Sequence, residues 1–257
     1  NVALSYENKI FNQTVVNSAN KELNTTWSVN NLSILTQPLI INVANSNSNQ
    51  LAESKILFID NNGSLNLVNG TDGKLEWSLN LNLSAATGQT SEKLNFSKRN
   101  GLIYVSDVKN KKILRVKVSG QIDGEIYLGD YKLESIPFIL NDYKRDGVDD
   151  IITPIGVYDE KKKVWIYFNY NGLNIIDSDI HAFYSKKYND NLYLVSNIIF
   201  DSTGNILKKS NGNLIYSANS QSNSIFAVVN LTGDQDPEII KRTCNGNAGY
   251  SQIEIYS

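Results

Sequence analysis

The chain has 257 residues, a net charge of −2, 41% hydrophobic and 10% aromatic residues, enough for one large all-β domain or two smaller ones, and no long basic block to support a nucleic-acid or anionic-membrane partner. A single cysteine, Cys244, excludes an intramolecular disulfide and a CxxC metal site. No stretch reaches the ~18 apolar residues that a membrane-spanning helix needs.

Taken in chain order, the first predicted strands are Val2–Tyr6 and Lys9–Val16, a turn at Asn17–Asn20, then Glu22–Trp27. A second unit is clearer: Ile56–Asp60, the hairpin turn Asn61-Asn62-Gly63, Ser64–Val68, a second turn at Asn69–Gly73, and a strand entered at Lys74 that carries Trp77. Leu102–Val105 follows the turn Lys98-Arg99-Asn100-Gly101. The fourth unit reads Ile151–Ile155, Lys163–Phe168, the turn Asn169–Gly172, then Leu173–Asp177. Leu192–Val195 follows Tyr188–Asn191, and Ile239–Arg242 and Gln252–Tyr256 close the chain. Asn makes up 36 residues, which suits many tight β connections because its side chain builds turns and tolerates αL; AT-rich codons would inflate it too. No segment sustains a helical period.

The apolar strands that begin at Ile56, Leu102, Ile151, Leu192 and Ile239 lie 46, 49, 41 and 47 residues apart. That is the spacing of four-stranded propeller blades. The expected fold is therefore all-β, a β-propeller of about five to six four-stranded blades, with residues 1–257 forming a single domain. The end units are incomplete, since an inner strand is missing before Val2 and an outer one after Tyr256. A blade shared between the termini would close the ring, whereas an open strand edge could pair with another chain.

An acidic loop, Asp142-Tyr-Lys-Arg-Asp146-Gly147-Val148-Asp149-Asp150, separates apolar runs at Pro137–Leu140 and Ile151–Ile152. It places oxygen side chains at positions 1, 5 and 9 and Gly at 6, the donor pattern a hard cation needs from a short turn. Asn230-Leu-Thr232-Gly-Asp234-Gln-Asp236-Pro-Glu238 keeps oxygens at 1, 3, 5 and 9, and Asn45–Glu53 keeps a weaker amide version.

The strand–DxxxDGxxD–strand unit resembles the FG-GAP (VCBS-type) repeats of integrin-like β-propellers, and the run ending in Asp72-Gly-Lys-Leu-Glu-Trp77 is similar to strands of PQQ-like propeller repeats. The resemblance implies structural Ca²⁺, bound by carboxylates of Asp142, Asp146 and Asp150 and the carbonyl of Val148. At the second loop it implies Asn230, Thr232, Asp234 and Glu238, with the Asp236 carbonyl. Lys144 departs from the pattern, because a cation stands where a ligand is expected. The alternative is a loop held by Asx-type hydrogen bonds, with Lys144 partly neutralising the acids or swinging out to solvent.

No catalytic constellation emerges. His181 is the only histidine, no Gly-x-Ser-x-Gly elbow accompanies it, and Cys244 sits in a small-residue loop. Asp159, Glu160, Asp177 and Asp179 include no pair that sequence could select as glycosidase acids. Trp27, Trp77 and Trp165 are expected to pack between blades.

Eight Asn-x-Ser/Thr sequons occur, at Asn12, Asn24, Asn31, Asn62, Asn69, Asn82, Asn95 and Asn230, seven of them before residue 100. With the absence of any Met, they suggest a processed, secreted or cell-surface glycoprotein. The expected function is a non-catalytic binding, adhesion or structural module that meets protein or glycan. A subunit of a surface filament or layer that self-associates by strand sharing, and a propeller enzyme acting on polysaccharide, are the rival expectations.

Overall fold

The computed structural model describes residues 2–3, 10–17, 22–30, 34–43, 53–83, 93–129, 136–142, 144–170, 180–195, 198–207, 223–229, 231, 237–244 and 251–256. Within them the protein is all-β and of the propeller class: six successive antiparallel sheets, each a meander of neighbouring strands. The chain divides into two compact units, residues 1–130 and 131–257.

The first unit holds three sheets. They comprise β1 (Val2–Ala3), β2 (Ile10–Asn17) and β3 (Glu22–Asn30); β4 (Leu39–Val43), β5 (Glu53–Ile59), β6 (Ser64–Asn69) and β7 (Leu75–Asn80); and β8 (Leu94–Ser97), β9 (Leu102–Asp107), β10 (Lys112–Lys117) and β11 (Ile122–Tyr127). The second unit holds β12 (Ile139–Asn141), β13 (Asp150–Thr153), β14 (Gly156–Asp159) and β15 (Val164–Tyr167); β16 (Ile180–Ser185), β17 (Asp190–Val195) and β18 (Ile198–Phe200); and β19 (Asn223–Val229), β20 (Glu238–Cys244) and β21 (Ser251–Tyr256).

The periodic apolar runs of the sequence all fall on one structural position, the second strand of a sheet: β5, β9, β13, β17 and β20. Ile56–Ile59 on β5, Ile103–Val105 on β9, Ile151–Ile152 on β13 and Leu192–Val195 on β17 are buried without alternation. A strand covered on both faces selects a continuous apolar run rather than period 2. The outer strands β7, β11 and β15 are half-buried or exposed except at Ile126 on β11, so their sequence signal is fainter.

Facing sheets interlock through these strands. In the first unit Leu57, Ile59, Leu65 and Leu67 pack with Ile103, Val105, Leu114 and Val116. Trp77 joins the same cluster and its Nε1 donates to the Val118 carbonyl at 2.8 Å. In the second unit Ile152, Val157 and Phe168 pack with Tyr193, Val195 and Phe200, and the Phe168 and Phe200 rings stack at 4.4 Å. Each buried Leu, Ile or Phe contributes roughly 1.5–3 kcal/mol through removal of apolar surface from water.

Tight turns set the register. Asp60–Ser64, Lys117–Gln121 and Asp201–Asn205 share one hairpin geometry, closed by Gly63, Gly120 and Gly204 with φ of 73°, 84° and 86°. This is a three-residue loop whose last residue adopts αL, the place for glycine.

The fourth unit departs from the sequence reading. Ile151–Ile155 is not one strand: β13 stops at Thr153, Pro154-Ile155 turns, and Gly156 opens β14. Pro154 ends the ladder because it lacks an N–H, and Thr153 Oγ1 donates to the Gly156 carbonyl at 3.1 Å to clamp the turn. The sheet therefore runs β12–β13–β14–β15, and the acidic loop joins its first two strands, between the two apolar runs that flank it in the sequence. The predicted strand Leu173–Asp177 lies outside the described residues.

Candidate functional site

The site is an acidic corner at one end of the β12–β15 sheet. Pairing of Asn141 with Asp150 and of Ile151 with Tyr158 sets Asp150 beside Asp159 on the neighbouring strand. Asp159 in turn pairs with Val164. Asp150 and Asp159 are each 1% exposed and Glu160 is also buried. Like charges facing across strands are destabilising, and a buried charge needs a partner. The corner must therefore contain a cation or a proton.

The loop backbone is shaped by its own carboxylates. Asp142 Oδ1 accepts the Asp146 amide at 2.9 Å and its Oδ2 accepts the Gly147 amide at 3.1 Å. Asp146 Oδ1 accepts the Val148 amide at 3.1 Å. Gly147 has φ of 88°, the left-handed conformation expected of the sixth position, and Arg145 also adopts positive φ at 54°. The Arg145 guanidinium lies 5.0 Å from the centroid of the Tyr184 ring on β16, a cation–π contact that ties the loop to the next sheet.

Lysines supply the counter-charge. The Lys144 ammonium turns inward, with its side chain 24% exposed, and forms an ion pair with Asp159 Oδ2. Lys163 pairs with Glu160 Oε1 at 2.6 Å, and Lys161 reaches Asp146 Oδ2 at 3.6 Å. Burial pushes the Asp159 carboxyl up, but hydrogen bonds from Lys144 and the Lys162 amide, with the charges of both lysines, outweigh it and hold the group below its ordinary range.

Asp150 is different. Its Oδ1 accepts the Glu160 amide at 2.9 Å, while its buried Oδ2 has no hydrogen-bond partner. Burial dominates, with repulsion from Asp159 and Asp146 adding to it, and the carboxyl is pushed up to about 7 despite the Glu160 amide and the Lys144 charge.

Asp142 and Asp146 lie on the loop and Asp150 opens β13, and the corner gains Asp159 from the end of β14 with Glu160 and the lysines of the β14–β15 turn. No group of three or more His, Cys, Asp or Glu among the described residues is placed to hold a metal ion.

Of the second loop, Asn230, Thr232, Asp234 and Asp236 lie outside the described residues; Glu238 is buried and its Oε2 accepts the Leu231 amide at 2.6 Å. Of the weaker loop only Glu53 is described, and it pairs with Lys55 at 2.6 Å.

Sequence reading passed over a set of aspartates that end strands. Asp60 Oδ1 accepts the Asn62 and Ser64 amides, Asp107 Oδ1 the Asn110 amide, Asp159 Oδ1 the Lys162 amide, and Asp201 Oδ1 the Thr203 and Asn205 amides. The available signal was an Asp closing an apolar run, followed by a short polar turn.

The remaining sites fall as follows. Trp77 packs between sheets as expected, whereas Trp165 stacks on Tyr167 at 5.7 Å and meets Tyr158 edge-on at 5.3 Å; the Trp27 side chain is outside the described set. His181 lies on β16 opposite Leu194, and Cys244 ends β20 opposite Ser251. Asp177 and Asp179 are outside the described residues. Among the sequons, Asn62 and Asn82 are exposed, Asn69 and Asn95 are half-buried, Asn12 and Asn24 lie on β2 and β3, and Asn31 and Asn230 are outside the described residues.

No protein-family model matches the chain, and no curated protein matches it. Among solved structures the chain is similar to the Vibrio cholerae biofilm matrix protein Bap1, with a TM-score of 0.55 and 15% identity over 88% of this chain and 38% of that one. A second similar structure is the C-terminal WD40 domain of Sif2, with a TM-score of 0.49 and 15% identity over 97% of this chain and 64% of that one. The chain therefore spans well under half the length of the Bap1 structure.

Proposed function

We propose that residues 1–257 form a single β-propeller that acts as a non-catalytic binding or structural module at or beyond the cell surface, with protein or glycan as its partner. The observation that carries this reading is the use of the acidic side chains. Asp60, Asp107, Asp142, Asp159 and Asp201 hold turns, Glu53 and Glu76 neutralise the buried Lys55, and the buried Glu160 is itself paired with Lys163. Groups committed to the scaffold are poorly placed to carry a proton or bind a transition state. Likeness to a biofilm matrix protein supports the extracellular setting, and exposed Asn62 and Asn82 offer glycan attachment points there. The FG-GAP-type kinship belongs to the same reading and rests on the acidic loop, which joins two paired strands.

The test is binding of the purified chain to an array of extracellular polysaccharides and to matrix fractions, with the bound ligand recovered and analysed. Retention with the ligand chemically unchanged is expected. Release of cleaved or unsaturated products would overturn the non-catalytic reading, and absence of any retention would overturn the binding role.

A further inference from the structure

The loop that resembles a calcium loop contains its own cation. Position 3, where the resemblance expects a ligand, is Lys144, and its ammonium lies inside the corner on Asp159. That ammonium and the carboxylates of Asp159 and Asp146 all act on the buried Asp150. The Asp142 and Asp146 oxygens that the resemblance assigns to a metal are already engaged: both Asp142 oxygens and Asp146 Oδ1 accept loop amides, and Asp146 Oδ2 lies 3.6 Å from Lys161. Such amide bonds are compatible with ligation, but the ammonium is not. A divalent ion on Asp150 would meet the like charge of the Lys144 ammonium in a poorly solvated corner, where screening is weak. The donor set as it stands does not fit Ca²⁺.

We infer that Lys144 replaces the metal: its tethered ammonium performs the charge neutralisation that Ca²⁺ would otherwise supply to the β12–β13 connection. The replacement explains why Lys144 points inward, and why Asp159, outside the loop, is its direct partner. It also leaves the connection independent of the concentration of any ion. Asp150 Oδ2 remains the one corner oxygen that lacks a hydrogen-bond partner among the buried carboxylate atoms of the loop itself, and it is available to a cation only if the ammonium leaves.

Thermal unfolding of the whole chain in millimolar Ca²⁺ and in excess EDTA, together with Tb³⁺ luminescence, tests this directly. For the wild type, coincident unfolding midpoints and no saturable luminescence are expected. Lys144→Asp and Lys144→Asn should each lower the midpoint in EDTA and recover several degrees in Ca²⁺, with saturable Tb³⁺ binding that Asp146→Ala abolishes. Lys144→Met should be destabilised and indifferent to the ion. The inference is overturned if the wild type loses stability in EDTA and Asp146→Ala removes that loss. It is equally overturned if Lys144→Asn folds yet ignores Ca²⁺. Should Lys144→Asp fold only when Ca²⁺ is present, the exchange of ammonium for metal is supported outright.

Discussion

Asp150 makes stability depend on pH in an unusual direction for a carboxylate. Its ordinary value of 3.8 rises to about 7 in the folded corner, so the native state holds a proton that the unfolded chain releases. Between those values the unfolded state binds fewer protons, and stability falls as pH rises; the contribution is retained at low pH and lost on approach to 7. The limiting slope is about 1.4 kcal/mol per pH unit, which integrates to about 2.5 kcal/mol between about pH 4.5 and pH 6.5. Asp150→Asn mimics the protonated group, and its Oδ1 can still accept the Glu160 amide. Urea unfolding followed by tryptophan fluorescence, compared at equal m-value, isolates the effect, because the charged neighbours of Asp150 are common to both proteins. The variant should match the wild type near pH 4 and exceed it above pH 7. Parallel pH curves for the two proteins would refute the assignment of a buried, proton-holding Asp150.

Three further substitutions probe the scaffold. Gly63→Ala places a Cβ 2.3 Å from the Leu83 carbonyl oxygen at φ of 73°, so a loss of about 1–3 kcal/mol or more is expected in urea unfolding. Trp77→Phe keeps an aromatic ring but leaves the Val118 carbonyl without its 2.8 Å donor; a loss of about 1–3 kcal/mol is expected, and a shift below 0.5 kcal/mol would deny the tether between sheets. Lys55 is buried, and although burial alone would depress its pKa, hydrogen bonds and charges from Glu53 and Glu76 raise it. While the glutamates are charged, the contribution of Lys55 is fully present below its unfolded pKa and is lost as pH climbs through the folded one. Lys55→Gln should cost about 1.5–3 kcal/mol at neutral pH, measured by the same unfolding assay.

The repeat was legible because it depends on composition along the chain. Ile56–Ile59, Ile103–Val105 and Leu192–Val195 are continuous apolar runs whatever surrounds them, and only a strand covered on both faces gives such runs a place. The Asn61-Asn62-Gly63 hairpin was equally readable, since αL is a local demand that glycine meets. The β13–β14 hairpin was missed although Thr153-Pro154-Ile155-Gly156 spells it, because the flanking apolar residues read as one uninterrupted strand.

For the acidic corner the division is sharper. Sequence alone determined that Asp142, Asp146 and Asp150 share a short loop, that Gly147 can take a positive φ, and that a lysine occupies the third position. It could not determine where the Lys144 side chain goes, because a flexible four-carbon stem can point to solvent or inward at similar local cost. Tertiary structure decided that question by bringing Asp159 at the end of β14 and Glu160 beyond it beside Asp150 and burying all three. Desolvated carboxylates on adjacent strands require compensation, and the nearest cation is the one already tethered to the loop.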